Sequence, residues 1–125
     1  TEAEWEYAAR ANTDLKFSGS SDSMDVAWTL DSSDGGPDPV ATLAPNAWHL
    51  HDMSGNVWEW VWDGYGELNE TTAADPMGAP TAYERVCRGG SWYRPEQEAR
   101  ISRRLAHRPG YRSPEIGFRI ARTIR

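Results

Sequence analysis

The chain predicts an α+β fold rich in ordered loop, and three features carry that expectation: a capped helix signal at its start, a tryptophan row of period two in its middle, and scattered glycine and proline. Gly 11 and Pro 8 sit among polar stretches without a repeat, which describes short elements on long connections rather than a fibrous or disordered chain. A length of 125 residues supports one domain, residues 1–125, with its own core.

Thr1 and Glu4 make the S/T-x-x-E pattern of a capping box, and Trp5, Ala8 and Ala9 then share one apolar face as far as Arg10. Residues 18–45 are dense in Ser, Asp, Gly and Pro, a long ordered loop with Val26, Trp28, Leu30, Val40 and Leu43 as its expected apolar anchors. Trp58, Trp60 and Trp62 alternate with Val57, Glu59 and Val61, the signature of a strand. Residues 63–83 read as loop, with Asp75-Pro76 and Ala79-Pro80 as breakers. A strand over 85–92 is interrupted at Gly89-Gly90, where a bulge or a close backbone approach is expected. Residues 99–105 alternate around Ile101 and Arg103, residues 107–114 are turn-rich, and a last strand covers 117–121.

The net charge of −6 hides an asymmetry. Residues 1–80 carry two basic and 15 acidic groups, residues 81–125 carry 11 basic and four acidic. A basic stripe suits phosphate contacts, but the acidic neighbour argues for arginines paired with carboxylates of the first part and against a nucleic-acid partner. No apolar run reaches the roughly 18–20 residues of a membrane span, and the chain opens on a helix signal rather than a leader, so a soluble domain is expected. Cys87 is the sole cysteine, which excludes an internal disulfide and a multi-cysteine zinc site. After Val86 in a strand-like stretch it reads as a small core hydrophobe, against the alternative of a thiol activated by Arg85 and Arg88.

Five blocks follow one another in order: Thr1-Glu-Ala-Glu-Trp-Glu-Tyr-Ala-Ala-Arg10, Pro45-Asn-Ala-Trp-His-Leu50, Asp52-Met-Ser-Gly-Asn-Val-Trp-Glu-Trp60, Arg88-Gly-Gly-Ser-Trp92, and Tyr111-Arg with Ile116-Gly-Phe-Arg119. Together they resemble the formylglycine-generating enzyme, or sulfatase-modifying factor, family. The resemblance implies a C-type lectin-like fold of that type, with short helices and small antiparallel sheets, and a chain that is N-terminally short relative to the family. It also implies copper held by two cysteines just after the Arg-Gly-Gly-Ser block. Those positions fall here on Arg94 and Ala99, neither of which offers Cu(I) a soft thiolate or serves as a nucleophile. Copper is therefore not expected, and no catalytic residue is assigned.

A calcium loop carries over better, onto Asp52, Gly55, Val57 and Glu59: two carboxylates and two backbone carbonyls, with water completing the six to eight oxygens calcium takes. The alternative is that Asp52 caps a turn and Glu59 pairs with an arginine. His49 and His51 beside Asp52 form a weaker transition-metal clip without an obvious third ligand. Ser91 lacks the G-x-S-x-G setting of a hydrolase nucleophile.

Seven tryptophans serve both as core and as contact residues, Trp58 and Trp60 on the structural side. The family places its substrate groove after the double glycine. The leading expectation is a non-catalytic binding domain whose C-terminal loops present Trp92, Tyr93, Arg94, Glu96, Arg100, Arg103, His107 and Tyr111 to a peptide, protein or glycan. Variable proteins of diversity-generating retroelements, some of which share this fold, are the analogy. The alternatives are an enzyme of the family that oxidises protein cysteine, and a regulatory partner of such an enzyme.

Overall fold

The computed structural model describes residues 1–68, 76–79 and 81–122; the breakers Asp75 and Pro80 lie outside them. Helix α1 spans Glu2–Arg10, and its first turn is closed as the sequence requires: the Thr1 hydroxyl accepts from the Glu4 amide at 3.3 Å, while the Glu4 carboxylate takes the Thr1 nitrogen at 2.8 Å. The helix stops where Ala11 and Asn12 turn left-handed. A one-turn helix α2, Ser23–Val26, leads into β1, Ala27–Trp28, which pairs in parallel with β2, Ser54–Gly55.

A four-stranded sheet is built from β3 (Trp58–Gly64), β4 (Arg85–Arg88), β5 (Arg104–His107) and β6 (Ile116–Phe118), in the order β5-β4-β3-β6. β3, β4 and β5 are antiparallel neighbours, whereas β6 lies parallel to β3. The small sheets are mixed rather than antiparallel throughout, since β1–β2 and β3–β6 pair in parallel. After β5 the chain crosses to the far edge of the sheet through residues 108–115 before β6 begins, so β6 enters in the direction of β3.

The alternation in β3 divides its side chains as the tryptophan row predicts. Glu59, Val61 and Asp63 point to the side covered by α1, where Val61 packs on Trp5, Ala9, Met53 and Ile101. On the other side exposure rises along the row, from Trp58 at 1% to Trp62 at 70%. A second cluster, Phe17, Val26, Ala27 and Ala99, lies under the long loop.

Two strand expectations shift. Strand β4 ends at Arg88 because Gly89 and Gly90 have φ of 99° and 80°. A Cβ at Gly90 would lie 2.7 Å from the Ala99 Cα, so this is a close approach rather than a bulge. Residues 96–99 form a 3₁₀ turn, Glu96–Ala99, Arg103 bonds back to Arg100, and the strand starts only at Arg104. Ile101 is nonetheless fully buried, its amide held by the Lys16 carbonyl. In the loop over 18–45, Val26 is a core residue but Leu30 and Val40 are exposed. Polar groups pin it instead: Leu30 N–H to the Arg94 carbonyl, Ser33 to the Trp92 carbonyl, and a reciprocal pair between Asp38 and Asn56.

Candidate functional site

The positions where the resemblance places copper ligands are occupied by chemistry of another kind. Arg94 closes a turn on Ser91, and its guanidinium lies bidentate on Glu115 at 3.0 Å for both Nε and Nη2. The Ser91 hydroxyl donates to the same carboxylate at 2.8 Å. Burial pushes the Glu115 carboxyl up, but the bonds from Arg94 and Ser91 together outweigh it and hold the group below the usual carboxylate range. The same pairing raises Arg94. Ala99 is a core methyl packed with Phe17, Val26 and Ala27. Cys87 sits fully buried within β4, and burial pushes its thiol up to about 12, so it stays neutral and unreactive at ordinary pH.

The four positions proposed for calcium do not, as arranged, fit the ion. Both oxygens of Glu59 accept from Arg119 at 2.8–3.1 Å, and one also takes the Trp5 indole N–H at 2.7 Å. Asp52, in a left-handed turn, accepts the Ala41 amide at 2.8 Å. The carboxylates are thus answered by protein donors, and calcium would have to displace Arg119. Gly55 and Val57 flank the turn at Asn56, with Gly55 bonded to the Gly89 carbonyl. His49 is exposed in a left-handed turn, and the His51 ring bonds the Leu43 carbonyl. Among the described residues no three His, Cys, Asp or Glu side chains converge on a metal position.

The expected ligand residues separate into two neighbouring groups. Trp92 and Tyr93 meet edge to face at 5.3 Å, with the Trp92 indole N–H donating to the Pro114 carbonyl. His107 stacks on Tyr111 at 4.0 Å and 14°, and meets Trp60 in a T-shaped contact at 6.4 Å. Trp92 bonds Pro114 and Arg94 grips Glu115, so this group meets the 108–115 crossover that carries Tyr111. Arg100 and Arg103 instead line a separate depression of about 490 Å³ with Tyr65 and Arg104. Arg103 is tied there to Glu98, and Arg104 grips Glu2 with two nitrogens. Glu96 is turned toward Lys16 and Ser23 and joins neither group.

The larger depression, about 580 Å³, is lined by His107 and Tyr111 together with Tyr83, Glu84, Arg108 and the Pro109-Gly110 turn. Arg108 lies 4.7 Å over the Tyr83 ring. Tyr83, Glu84, Arg108 and Glu115 were absent from the sequence-based set. The signal was register: β4 pairs antiparallel with β5 and aligns Arg85 with His107, which brings the residues just before one strand beside those just after the other.

The description "Sulfatase-modifying factor enzyme 1-like domain" matches residues 1–124. The chain is 33% identical over its whole length to a part, 21%, of a protein named serine/threonine-protein kinase pkn1 from Chlamydia caviae. It is also 33% identical, over 97% of its length, to 48% of a formylglycine-generating enzyme from Thermomonospora curvata. Among solved structures it superposes on Treponema denticola variable protein 1 with a TM-score of 0.89 and 35% identity, covering 94% of this chain and 44% of that one. The chain therefore spans from about a fifth to about half of the proteins it matches. With the blocks, the mixed sheet and the loop-rich architecture in agreement, this chain belongs to the sulfatase-modifying factor enzyme 1-like domain family.

Proposed function

We propose that this is a non-catalytic binding domain that recognises a protein or peptide through the loops following Gly90. The observation that carries the reading is the Arg94–Glu115 pair. At a position where the resemblance expects a soft metal ligand, the chain holds a bidentate ion pair that braces Trp92 and Tyr93 at the surface. Tyrosine, tryptophan and arginine are the side chains enriched at the hot spots of recognition surfaces, and the two aromatics bring large contact area at low entropy cost. The likeness to a variable protein supports the same reading. A glycan is a further ligand class open to this surface. Calcium belongs to this proposal only if Arg119 yields Glu59.

The test is mass spectrometry of a cysteine-containing sulfatase-motif peptide incubated with the protein, copper, oxygen and reductant. The expected outcome is an unchanged thiol, with a formylglycine-generating enzyme active in parallel. Conversion of the thiol to an aldehyde would return the protein to the enzymes of its family.

A further inference from the structure

We propose that the depression between Tyr83 and Tyr111 is the anchor pocket of this surface, and that its occupant is an apolar side chain carried by an acidic polypeptide. The inference rests on the binding reading above and gives it a ligand chemistry.

Shape is the first argument. A depression of about 580 Å³ has the volume of a small-ligand pocket and so admits one large side chain. Its walls are aromatic and mostly carbon, with Glu84 and Arg108 as the charged groups at its edge.

The second argument is that the walls are held in place before anything binds. His107 stacks on the Tyr111 ring and also meets Trp60 in a T-shaped contact. Arg108 lies over one part of the Tyr83 ring, and the residue keeps 70% of its surface exposed to a ligand. Rings already in position lose little freedom on binding, so more of the contact energy appears as affinity.

Charge selects the partner. Among the described residues of 81–122, Arg88, Arg94, Arg103, Arg104 and Arg119 are paired with carboxylates. Arg85, Arg100, Arg108, Arg112 and Arg122 meet no carboxylate among the described residues, and Glu84 is the one carboxylate of that stretch without a basic partner among them, since Glu96, Glu98 and Glu115 have theirs. This region is therefore net positive after internal pairing, although the whole chain carries −6. Such a surplus attracts acidic chains and repels basic ones. Glu84 repels carboxylates on its own flank, which directs the acidic groups of the ligand toward Arg108.

The experiment selects a random-peptide display library on the immobilised protein, then measures enriched peptides by fluorescence anisotropy against wild type and variants. The expected peptides place Asp or Glu around a large apolar residue. Tyr83→Ala and Arg108→Glu, both at exposed positions, are expected to weaken them about tenfold each with the fold retained by circular dichroism. Enrichment of basic peptides overturns the inference while leaving the binding reading in place. So does binding that is indifferent to both variants but falls with Tyr93→Ala. Enrichment of nothing counts against the pocket and the binding reading together. Self-association in sedimentation runs that Arg108→Glu abolishes would reassign the pocket to the acidic half of a second copy.

Discussion

Arg88 and Arg108 stand at opposite ends of the β4–β5 ribbon and show how differently one residue type is used. Arg88 is 1% exposed, stacked 5.1 Å from the Trp5 ring centroid and bonded to Glu2, Glu6 and the Ile101 carbonyl. Arg108 is exposed, pairs with no carboxylate among the described residues, and lies over a tyrosine at the edge of a depression. The first joins α1 to the sheet. The second is available to a partner. A charge sunk under a helix is committed to the fold, whereas one laid on an exposed ring can be shared with a ligand.

The largest expected effect breaks the committed end. Arg88→Ala leaves the buried Glu2 carboxylate and the half-buried Glu6 with fewer donors, and opens a void beneath Trp5. Removing one partner of a buried pair costs about 3–5 kcal/mol, a large fraction of a domain's stability. Glu2 keeps Arg104 and Glu6 keeps Arg10, which places the loss toward the lower end. Urea unfolding should show it. Arg108→Ala in the same assay should stay within about 0.5 kcal/mol of wild type. Equal losses at the two positions would erase the contrast.

That contrast was only half legible in the sequence. The capping box of Thr1 and Glu4 and the alternation of Trp58, Trp60 and Trp62 are local patterns, and both elements formed where they were expected. The general pairing of arginines with the acidic first half was also foreseen, and it holds for Arg88, Arg104 and Arg119. Which arginine meets which carboxylate was not readable, because Glu2 and Arg104 are 102 residues apart and only the folded sheet brings them together. Ile101 misled for a related reason: its alternation with Arg103 imitates a strand, but tertiary packing on Trp5 and Met53 buries it from a turn. The depression at Tyr83 and Tyr111 escaped because it depends on the β4–β5 register, which side-chain patterns alone do not fix.

Acid separates the two ends next. Burial raises the Glu6 carboxyl, but hydrogen bonds from Arg88 and Arg10 outweigh it and leave the group below its ordinary 4.5. A folded value below the unfolded one means stabilisation that is present above pH 4.5 and lost as pH falls through the depressed folded value. The Tm is therefore expected to decline with acid below about pH 4.5, and Glu6→Gln to flatten part of that decline. A slope unchanged by the substitution would remove Glu6 from the account. Arg108→Ala should leave the profile as it is.

A smaller effect is expected where structure and recognition meet. Glu115→Gln keeps a hydrogen-bond acceptor for Ser91 but removes the charge that orients Arg94. Because Arg94 is 44% exposed, solvent screens the pair, and the loss of stability should be under about 1 kcal/mol. The loop carrying Trp92 and Tyr93 nonetheless loses its brace, so peptide affinity is expected to fall by more than stability does. Affinity that tracks stability one for one would mean that Arg94 serves the fold and not the surface.

The smallest expected change tests the committed end from the other side. Glu59 already receives Arg119 and the Trp5 indole, so added calcium must compete with a nearby guanidinium that is covalently part of the same chain. With the pair kept, calcium added after chelation leaves the Tm where it was. An ion that bound at a concentration a hundredfold above its Kd would instead add about 2.7 kcal/mol, a rise no melting curve would miss. If that rise occurs and Glu59→Gln abolishes it, Arg119 is a placeholder that gives way to the cation, and Asp52, Gly55, Val57 and Glu59 become a calcium site that holds the sheet to the turn before β3.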